Sequence, residues 1–421
     1  MFATFKQIFK PKNRDILKRI LFTLICLFIF VLGKSIVVPG VNQYSLGVSQ
    51  LGFLELINIM GGGALGQFSI FALGVTPYIT ASIIIQILAM DIIPYLSELR
   101  KQGGTGRNEL NKITRITGIA LAFIQGYIYS FAYLGNSGIL NIDYLQFALV
   151  LTAGTCLLLW IGDQISEKGI GNGISLIIMA GIISSMPTMF KTAFTSLTSD
   201  YSVKGIILFI LYVVVYIAIT LGVVYTENAD RRINVQYANK TTSAFGGKQN
   251  YIPFKLNSAG VMPVILASTL LSIPSLIASV VKKEAFTNFI TNYLSTNTPV
   301  GFVLYIILIF VFAYFYTFMQ MKPSEMSENL NKNGGFIPGI KPGDDTTDYL
   351  SKVLGRITIV GAFFLSILAA LPILFGMLSG LPSSVTLGGT GLLIVVGVAL
   401  ETYKQLESQL QSRSYRRRWK I

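Results

Sequence analysis

Long apolar segments alternate with polar stretches along the whole chain. Ten segments can be delimited, at about 17–38, 71–90, 113–133, 146–162, 172–190, 204–226, 257–280, 301–320, 353–376 and 389–403. Segments of about 18 apolar residues or more have the length that a helix needs to cross a membrane. Strand-sized alternation of apolar and polar residues is absent, so helices are expected to satisfy the backbone in lipid. The pattern predicts an all-α polytopic membrane protein with ten transmembrane helices.

Composition agrees with this class and excludes several others. Of the 421 residues, 52% are hydrophobic and 12% are charged, against about 25% charged residues in soluble domains. A cytosolic enzyme, a disulfide-rich secreted domain and a disordered chain are therefore excluded. The chain has no histidine, which removes imidazole bases and histidine metal sites. Cys26 and Cys156 lie in separate apolar segments and are expected to act as packing residues. No catalytic residue, metal site or cofactor is predicted.

The distribution of positive charge predicts the orientation. The formal net charge is +14, and 28 of the 33 Lys and Arg residues fall on one side of the ten segments. The positive-inside rule then places both termini in the cytoplasm. The basic run YRRRWK (415–420) is expected to anchor the topology and contact anionic lipids, with contact to ribosomal RNA as the alternative. Two loops on the same side are unusually long, at about 227–256 and 321–352.

Ten crossings divide into five plus five near residue 195. An odd number in each half gives the halves opposite orientations, so we expect an inverted repeat of residues 1–195 and 196–421, with a functional site between them. The apolar stretch 54–69 is too short to cross the membrane and is interrupted by glycines at 61, 62, 63 and 66. It is predicted to be either a re-entrant plug or an interfacial loop.

Carboxylates are nearly absent from the centres of the segments, whereas ion-coupled transporters usually carry ionisable residues there. An intramembrane protease would need a catalytic pair, and none is visible. Uncharged aliphatic and small polar side chains suit a channel that binds nothing strongly. A secondary solute transporter with an inverted repeat remains the alternative. GIGNGIS (169–175) is predicted to be a tight turn, with Asn172 near the start of the fifth segment.

Five motifs carry a family resemblance, in this order along the chain: FALGVTPYITASIIIQ (71–86), GIGNGISLII (169–178), RRINVQYA (231–238), GFIPGIKPG (335–343) and GGTGLLIVV (388–396). They resemble the signatures of the SecY/Sec61-alpha family, the pore-forming subunits of Sec protein translocases. The match spans the whole chain. The resemblance implies a channel that passes unfolded secretory polypeptides across the membrane. Transmembrane segments would leave that channel into lipid through a lateral gate between its halves.

The resemblance also implies roles for particular residues. The plug matches Asn58–Ile70, including Asn58, Gly61, Gly62, Gly63, Ala64 and Leu65. The constriction ring matches Val75, Ile79, Ile174, Ile178, Ile265 and Ile394. The lateral gate matches Thr80 and Gln86, facing Asn257, Thr269 and Ile273. Docking of the SecA motor ATPase or the ribosome matches Arg231, Arg232 and Lys341. The family usually has arginine in place of Lys341, and the glycines of the plug weaken the expectation that it is helical.

The residues themselves support the ring in part. Val75 and Ile79 are four apart, as are Ile174 and Ile178, so each pair shares a helix face. Such faces are typical of a hydrophobic constriction and also of ordinary helix packing. Three prolines in the gate segments, Pro77, Pro263 and Pro274, are expected to permit bending.

The resemblance finally implies the setting of the channel. Its expected partners are the small membrane subunits SecE and SecG, SecA, the ribosome, polypeptides that bear signal sequences, and anionic lipids. A bacterial plasma membrane is expected in preference to a plastid thylakoid membrane.

Overall fold

The computed structural model describes residues 14–39, 58–90, 92–134, 142–198, 203–237, 250–281, 284–294 and 298–418. The helices within these ranges are α1 Arg14–Gly33, α2 Thr76–Leu88, α3 Pro94–Lys101, α4 Gly104–Leu134, α5 Ile142–Lys168, α6 Gly173–Thr198, α7 Val203–Asn228, α8 Met262–Val281, α9 Glu284–Phe289, α10 Pro299–Gln320, α11 Pro323–Lys332, α12 Asp344–Ser379 and α13 Ser383–Arg418. A π-helical turn, Ile290–Leu294, follows α9. The strands are β1 Asp230–Tyr237, β2 Asn250–Lys255 and β3 Gly335–Phe336.

Each of the ten predicted segments falls on a helix, which confirms the helical fold class. By length and composition, six stretches are suited to crossing a membrane: α1, α5, α6, α7, α12 and the span Pro299–Lys332. Two further apolar stretches, Thr76–Leu88 and Met262–Ser275, are shorter. The count of ten crossings stays a prediction. Several ends differ from the prediction, since α12 begins at Asp344 and α13 continues to Arg418.

Local sequence explains where the helices begin. The Asn172 side chain accepts a hydrogen bond from the backbone N–H of Ile174 at 3.1 Å, which caps the start of α6 as predicted. Thr298 caps α10 in the same way through Gly301 N–H. Pro77 and Pro263 fall in the first turns of α2 and α8, where a missing N–H removes no intrahelical bond. Only Pro274 of the three predicted bending prolines lies inside its helix.

The described parts of the two long loops contain three short strands, which the sequence analysis did not predict. β1 pairs antiparallel with β2 and, on its other edge, with β3, which gives the order β2-β1-β3. The sheet and α11 cover a hydrophobic core that continues onto the first turns of α12, with members Ile233, Val235, Phe254, Leu330, Ile337, Leu350, Val353, Leu354 and Ile357. We call β1, β2, β3 and α11, together with residues 337–343 that follow β3, the loop module.

The two predicted halves meet along several helices. α13 contacts α6 and α8 contacts α4, each pair joining one half to the other. One hydrophobic cluster, here the central cluster, includes buried residues of α1, α2, α5, α6, α8 and α13. A second cluster lies among α7, α8, α10, α12 and α13, with Met189 and Ala193 of α6. Both clusters therefore include residues of the two predicted halves, and the central cluster holds most of the contribution from the N-terminal half.

Candidate functional site

The predicted ring residues come together in the central cluster. Val75, Ile79, Ile178, Ile265 and Ile394 are buried members of it, and Ile174 packs against it half-buried. Val75 immediately precedes α2, and Ile79 lies one turn later. Ile174 and Ile178 occupy the first turns of α6, Ile265 the first turn of α8, and Ile394 lies within α13. Four elements from both halves thus direct aliphatic side chains at one place.

The predicted plug packs against the same cluster. Residues 58–60 are helical, and the chain then continues through turns to residue 75. Ile59 and Met60 are buried members of the central cluster, and Ala64 and Leu65 have no exposed surface. The stretch therefore lies inside the protein and not at its surface. Of the two alternatives for this stretch, burial favours the plug.

Glycine is required by the shape of this segment. Gly62 and Gly63 have φ angles of 74° and 85°, a left-handed conformation that side chains disfavour. The turn is closed from Asn58, whose backbone carbonyl accepts from Gly63 N–H at 2.7 Å. The Asn58 side-chain oxygen accepts from Gly66 N–H at 2.9 Å. The glycines thus replace most of the expected plug helix with a compact hydrogen-bonded loop.

Lys34 is a residue of this site that the sequence analysis missed. It follows the last residue of α1, and its ammonium donates to the Gly62 carbonyl at 2.9 Å and to Ser184 Oγ on α6 at 2.6 Å. In the sequence it counts only as one of the few basic residues opposite the positive side. The available signal was the position of a lysine near the end of the first apolar segment.

The predicted gate residues lie on both sides of the boundary between the two predicted halves, where α2 and α4 face α8 and α10. We call this boundary the seam. The hydrogen bonds of these side chains stay within their own half. Thr80 donates to the Thr76 carbonyl at 3.1 Å, and Gln86 donates to Ser82 Oγ at 3.0 Å, both within α2. Thr269 donates to the Ile265 carbonyl within α8 at 2.7 Å.

The other two gate residues lie on and just before α8. Ile273 is 41% exposed on α8. Asn257 was expected inside the seventh segment, but α8 begins only at Met262, and Asn257 lies on the turn before it. Its amide donates to Glu227 on α7 at 2.8 Å. The Asn257 amide is therefore engaged within its own half.

A cavity of about 590 Å³ opens between the halves beside the predicted gate. Gln86 of α2, Arg107 and Asn111 of α4, and Tyr316 of α10 are among the side chains that line it. At one edge, the Arg100 guanidinium on α3 donates to the Met319 carbonyl at the end of α10, at 2.9 Å. This hydrogen bond joins the two halves across the seam, and the sequence analysis did not identify it.

The predicted docking residues lie on the loop module. Arg231 and Arg232 are exposed on β1, and Lys341 is exposed in the turn between β3 and α12. Arg232 is bound to Asp230 at 3.1 Å and stacks over the Tyr251 ring. The hydrogen bond to Asp230 raises the pKa of the Arg232 guanidinium. Pairing of β1 with β3 brings the two predicted docking loops into one sheet.

The described part of the chain holds no cluster of three or more His, Cys, Asp or Glu residues that could bind a metal ion. The arrangement brings together a cluster of aliphatic side chains, a buried loop beside it and a polar cavity between the predicted halves.

Comparison with known proteins gives consistent results. The sequence model of the SecY family matches residues 69–403. Protein translocase subunit SecY of Bacillus subtilis (strain 168) is 46% identical over 429 residues, which cover 99% of each chain. One solved SecY structure has a TM-score of 0.63 at 20% identity, with 93% of this chain and 91% of that chain covered. The plug domain of that protein is described as stabilising the closed state of its translocation channel and maintaining a membrane seal. Sec61 in the canine ribosome-channel complex has a TM-score of 0.58 at 19% identity over the same shares.

Proposed function

The chain belongs to the SecY family, and we propose that it forms a channel that conducts unfolded secretory polypeptides across a membrane. One observation carries the proposal: six aliphatic side chains from both halves converge in a single cluster, with the buried 58–70 stretch packed against them. The proposed halves are residues 1–195 and 196–421, which part along the seam to open the pore. The ring consists of Val75, Ile79, Ile174, Ile178, Ile265 and Ile394.

The chemistry of the ring explains the two tasks of such a pore. When the pore is empty, a narrow neck of aliphatic side chains excludes water and therefore ions. When a polypeptide moves through, the same side chains offer it no hydrogen-bond partner that would hold it. The plug, residues 58–70, adds a second barrier because its buried side chains fill the space next to the neck.

The test of the ring is a leak measurement with a matched control. Ile178→Gly should raise the ion conductance of reconstituted complexes, most clearly when residues 61–66 of the plug are also deleted. Ile183→Gly makes the same change on the same helix at a position that is 45% exposed, so both variants lose a similar helix propensity, about 0.5 kcal/mol. The control should stay closed. Equal conductance of the two variants would contradict the ring.

The cavity and the seam support a lateral gate between α2 and α4 on one side and α8 and α10 on the other. In a background with Cys26→Ala and Cys156→Ala, Thr80→Cys and Ile273→Cys should crosslink in the resting state and block transport until the bond is reduced. Each single cysteine is the control for labelling alone. Full transport by the crosslinked protein would argue against opening at this seam.

We further propose the setting of the channel. It lies in a bacterial plasma membrane with both termini in the cytoplasm, and it assembles with SecE and SecG. SecA or the ribosome docks on the loop module through Arg231, Arg232 and Lys341. Support comes from the exposure of all three side chains on one small sheet unit, and from the ribosome-bound Sec61 among its structural relatives. The basic C-terminal residues contact anionic lipids.

Charge reversal tests the docking surface. Lys341→Glu and the pair Arg231→Glu/Arg232→Glu should weaken binding of SecA and ribosomes. The difference in affinity from the unchanged protein should shrink as salt rises, because salt screens exposed charges. Lys341→Arg should be tolerated because it keeps the charge. Lys191→Glu makes the same charge change at an exposed position of α6, which is distant in sequence from the loop module. This control should leave binding intact. Normal binding by all reversals would limit these residues to a topological role.

A further inference from the structure

The Lys34 side chain joins three parts of the N-terminal half. Helix α1 ends at Gly33, and Lys34 then turns inward. Its ammonium donates to the backbone carbonyl of Gly62 in the plug at 2.9 Å and to Ser184 Oγ on α6 at 2.6 Å. One side chain therefore binds the end of α1, the plug and α6 together.

The hydrogen bonds at this point form an ordered series. Ser184 donates its own hydroxyl proton to the Gly181 carbonyl at 2.7 Å, so its oxygen lone pairs remain available to the ammonium. An ammonium group carries only donors, and here two of them meet two acceptors. Hydrogen bonds from a charged donor are about twice as strong as those between neutral groups. The series is thus directional, from Lys34 through Ser184 to the backbone of α6.

The backbone of the plug is shaped to receive this contact. The left-handed φ of 74° at Gly62 turns its carbonyl toward Lys34. The plug also lies directly on α6, since a Cβ atom added to Gly181 would stand 2.2 Å from the Met60 carbonyl oxygen. Gly181 follows the ring residue Ile178 by three positions, less than one helical turn. The Lys34 contact therefore holds the plug immediately beside the ring.

We propose that Lys34 is a positioning residue that holds the plug against α6 in the resting channel. The proposal rests on the function proposed above, in which the plug must leave the pore when a polypeptide enters. Displacement of the plug breaks the bond to Gly62 while the bond to Ser184 can persist. The contact thus biases the plug toward its resting position without taking part in the passage itself.

The test measures plug position directly and separately from transport. Met60→Cys, in the Cys26→Ala/Cys156→Ala background, introduces a thiol at a plug position that is 6% exposed. In purified complexes in nanodiscs, its rate of labelling by a maleimide reports how often the plug leaves α6. Lys34→Met, which keeps the length and removes the charge, should raise this rate roughly tenfold, the loss expected for one charge-assisted hydrogen bond. Lys34→Arg should restore slow labelling.

Two further variants separate positioning from general loosening. Lys191→Met removes an exposed lysine of α6 and should leave labelling unchanged. Ser184→Ala should raise labelling less than Lys34→Met, and the double variant should resemble Lys34→Met alone, because both act on one contact. Labelling that is unchanged in Lys34→Met, or equally fast in Lys191→Met, would overturn the proposal. Should Lys34→Met not assemble, Lys34→Gln serves with the same expectation.

The ion conductance of the same variants separates the proposed Lys34 contact from the proposed role of the plug as a seal. Faster labelling with raised conductance supports both. Faster labelling without any leak, together with a closed channel after deletion of residues 61–66, supports the Lys34 contact and contradicts the plug as a seal. A leak on deletion with unchanged labelling in Lys34→Met supports the seal and contradicts the contact.

Discussion

Substitution of Gly181 by alanine should displace the plug by direct collision. The new Cβ would stand 2.2 Å from the Met60 carbonyl oxygen and 3.2 Å from the Gly62 nitrogen, whereas nonbonded heavy atoms are at optimal separation near about 3.5 Å. Both neighbours are backbone atoms, so no side-chain rotation can relieve the collision. Either the plug or α6 must move by about 1 Å.

The size of the effect follows from the cost of overpacking. An inserted methyl group in a close-packed interior destabilises by about 1–3 kcal/mol, which is about 5- to 150-fold in an equilibrium. The cost applies only while the plug rests on α6, so it raises the open fraction. Alanine also favours the helix by about 1 kcal/mol over glycine, but this gain is the same in both positions of the plug and cancels.

The assay is the open fraction of single complexes in planar bilayers, together with maleimide labelling at Met60→Cys. Gly355→Ala on α12 is the control, because its Cβ would meet only side-chain atoms, the Tyr314 hydroxyl at 3.2 Å and Phe318 Cζ at 3.8 Å. Gly181→Ala should raise both quantities at least fivefold, and Gly355→Ala should raise neither. If Gly181→Ala behaves as the unchanged protein in both measurements, the close contact between plug and α6 is wrong.

Three further outcomes are expected. Asn172→Ala should lower the free energy of unfolding by about 1 kcal/mol through loss of the α6 cap, seen as a lower Tm than that of Asn172→Asp, which keeps an acceptor. Arg100→Ala removes the hydrogen bond to the Met319 carbonyl and should raise transport of substrates with weakened signal sequences several-fold. Arg100→Lys should raise this transport less. If transport does not increase, the hydrogen bond does not hold the seam closed. Ile337→Asp buries an unpaired carboxylate in the loop module, which costs several kcal/mol of stability. This variant should lose SecA and ribosome binding while its resting conductance stays unchanged. Retained binding would show that the module is not the docking surface.

The helices could be predicted from the sequence because lipid-spanning segments must be long and apolar. The ends were less predictable, since α12 and α13 continue beyond their apolar parts into polar sequence. There, contacts with other elements extend the helix. The convergence of Val75, Ile79 and Ile394 came from the family resemblance, because four-residue spacing within a helix does not tell which helices face each other.

The loop module shows what sequence reasoning missed and why. β1 carries a readable signal, because buried Ile233 and Val235 alternate with exposed neighbours. Its partner β3 is only two residues long and lies about a hundred positions further along the chain. No local sequence pattern therefore predicts this pairing. The Lys34 contact is equally long-range, at 150 residues from Ser184. A single lysine near the end of an apolar segment looks the same in the sequence whether it binds water or a carbonyl.

The helix α12 gives the loop module a mechanical consequence. Its first turns share the core of the module through Leu350 and Leu354, and its later turns share the core of the C-terminal half through Leu365 and Ile373. At 1.5 Å per residue, its 36 residues form a rod of about 54 Å. A force on the sheet therefore acts on one continuous helix that is held in a hydrophobic cluster near each end. We expect a load on the loop module to reach the helices that pack on the later turns of α12, and to bend α12 most readily at Pro372.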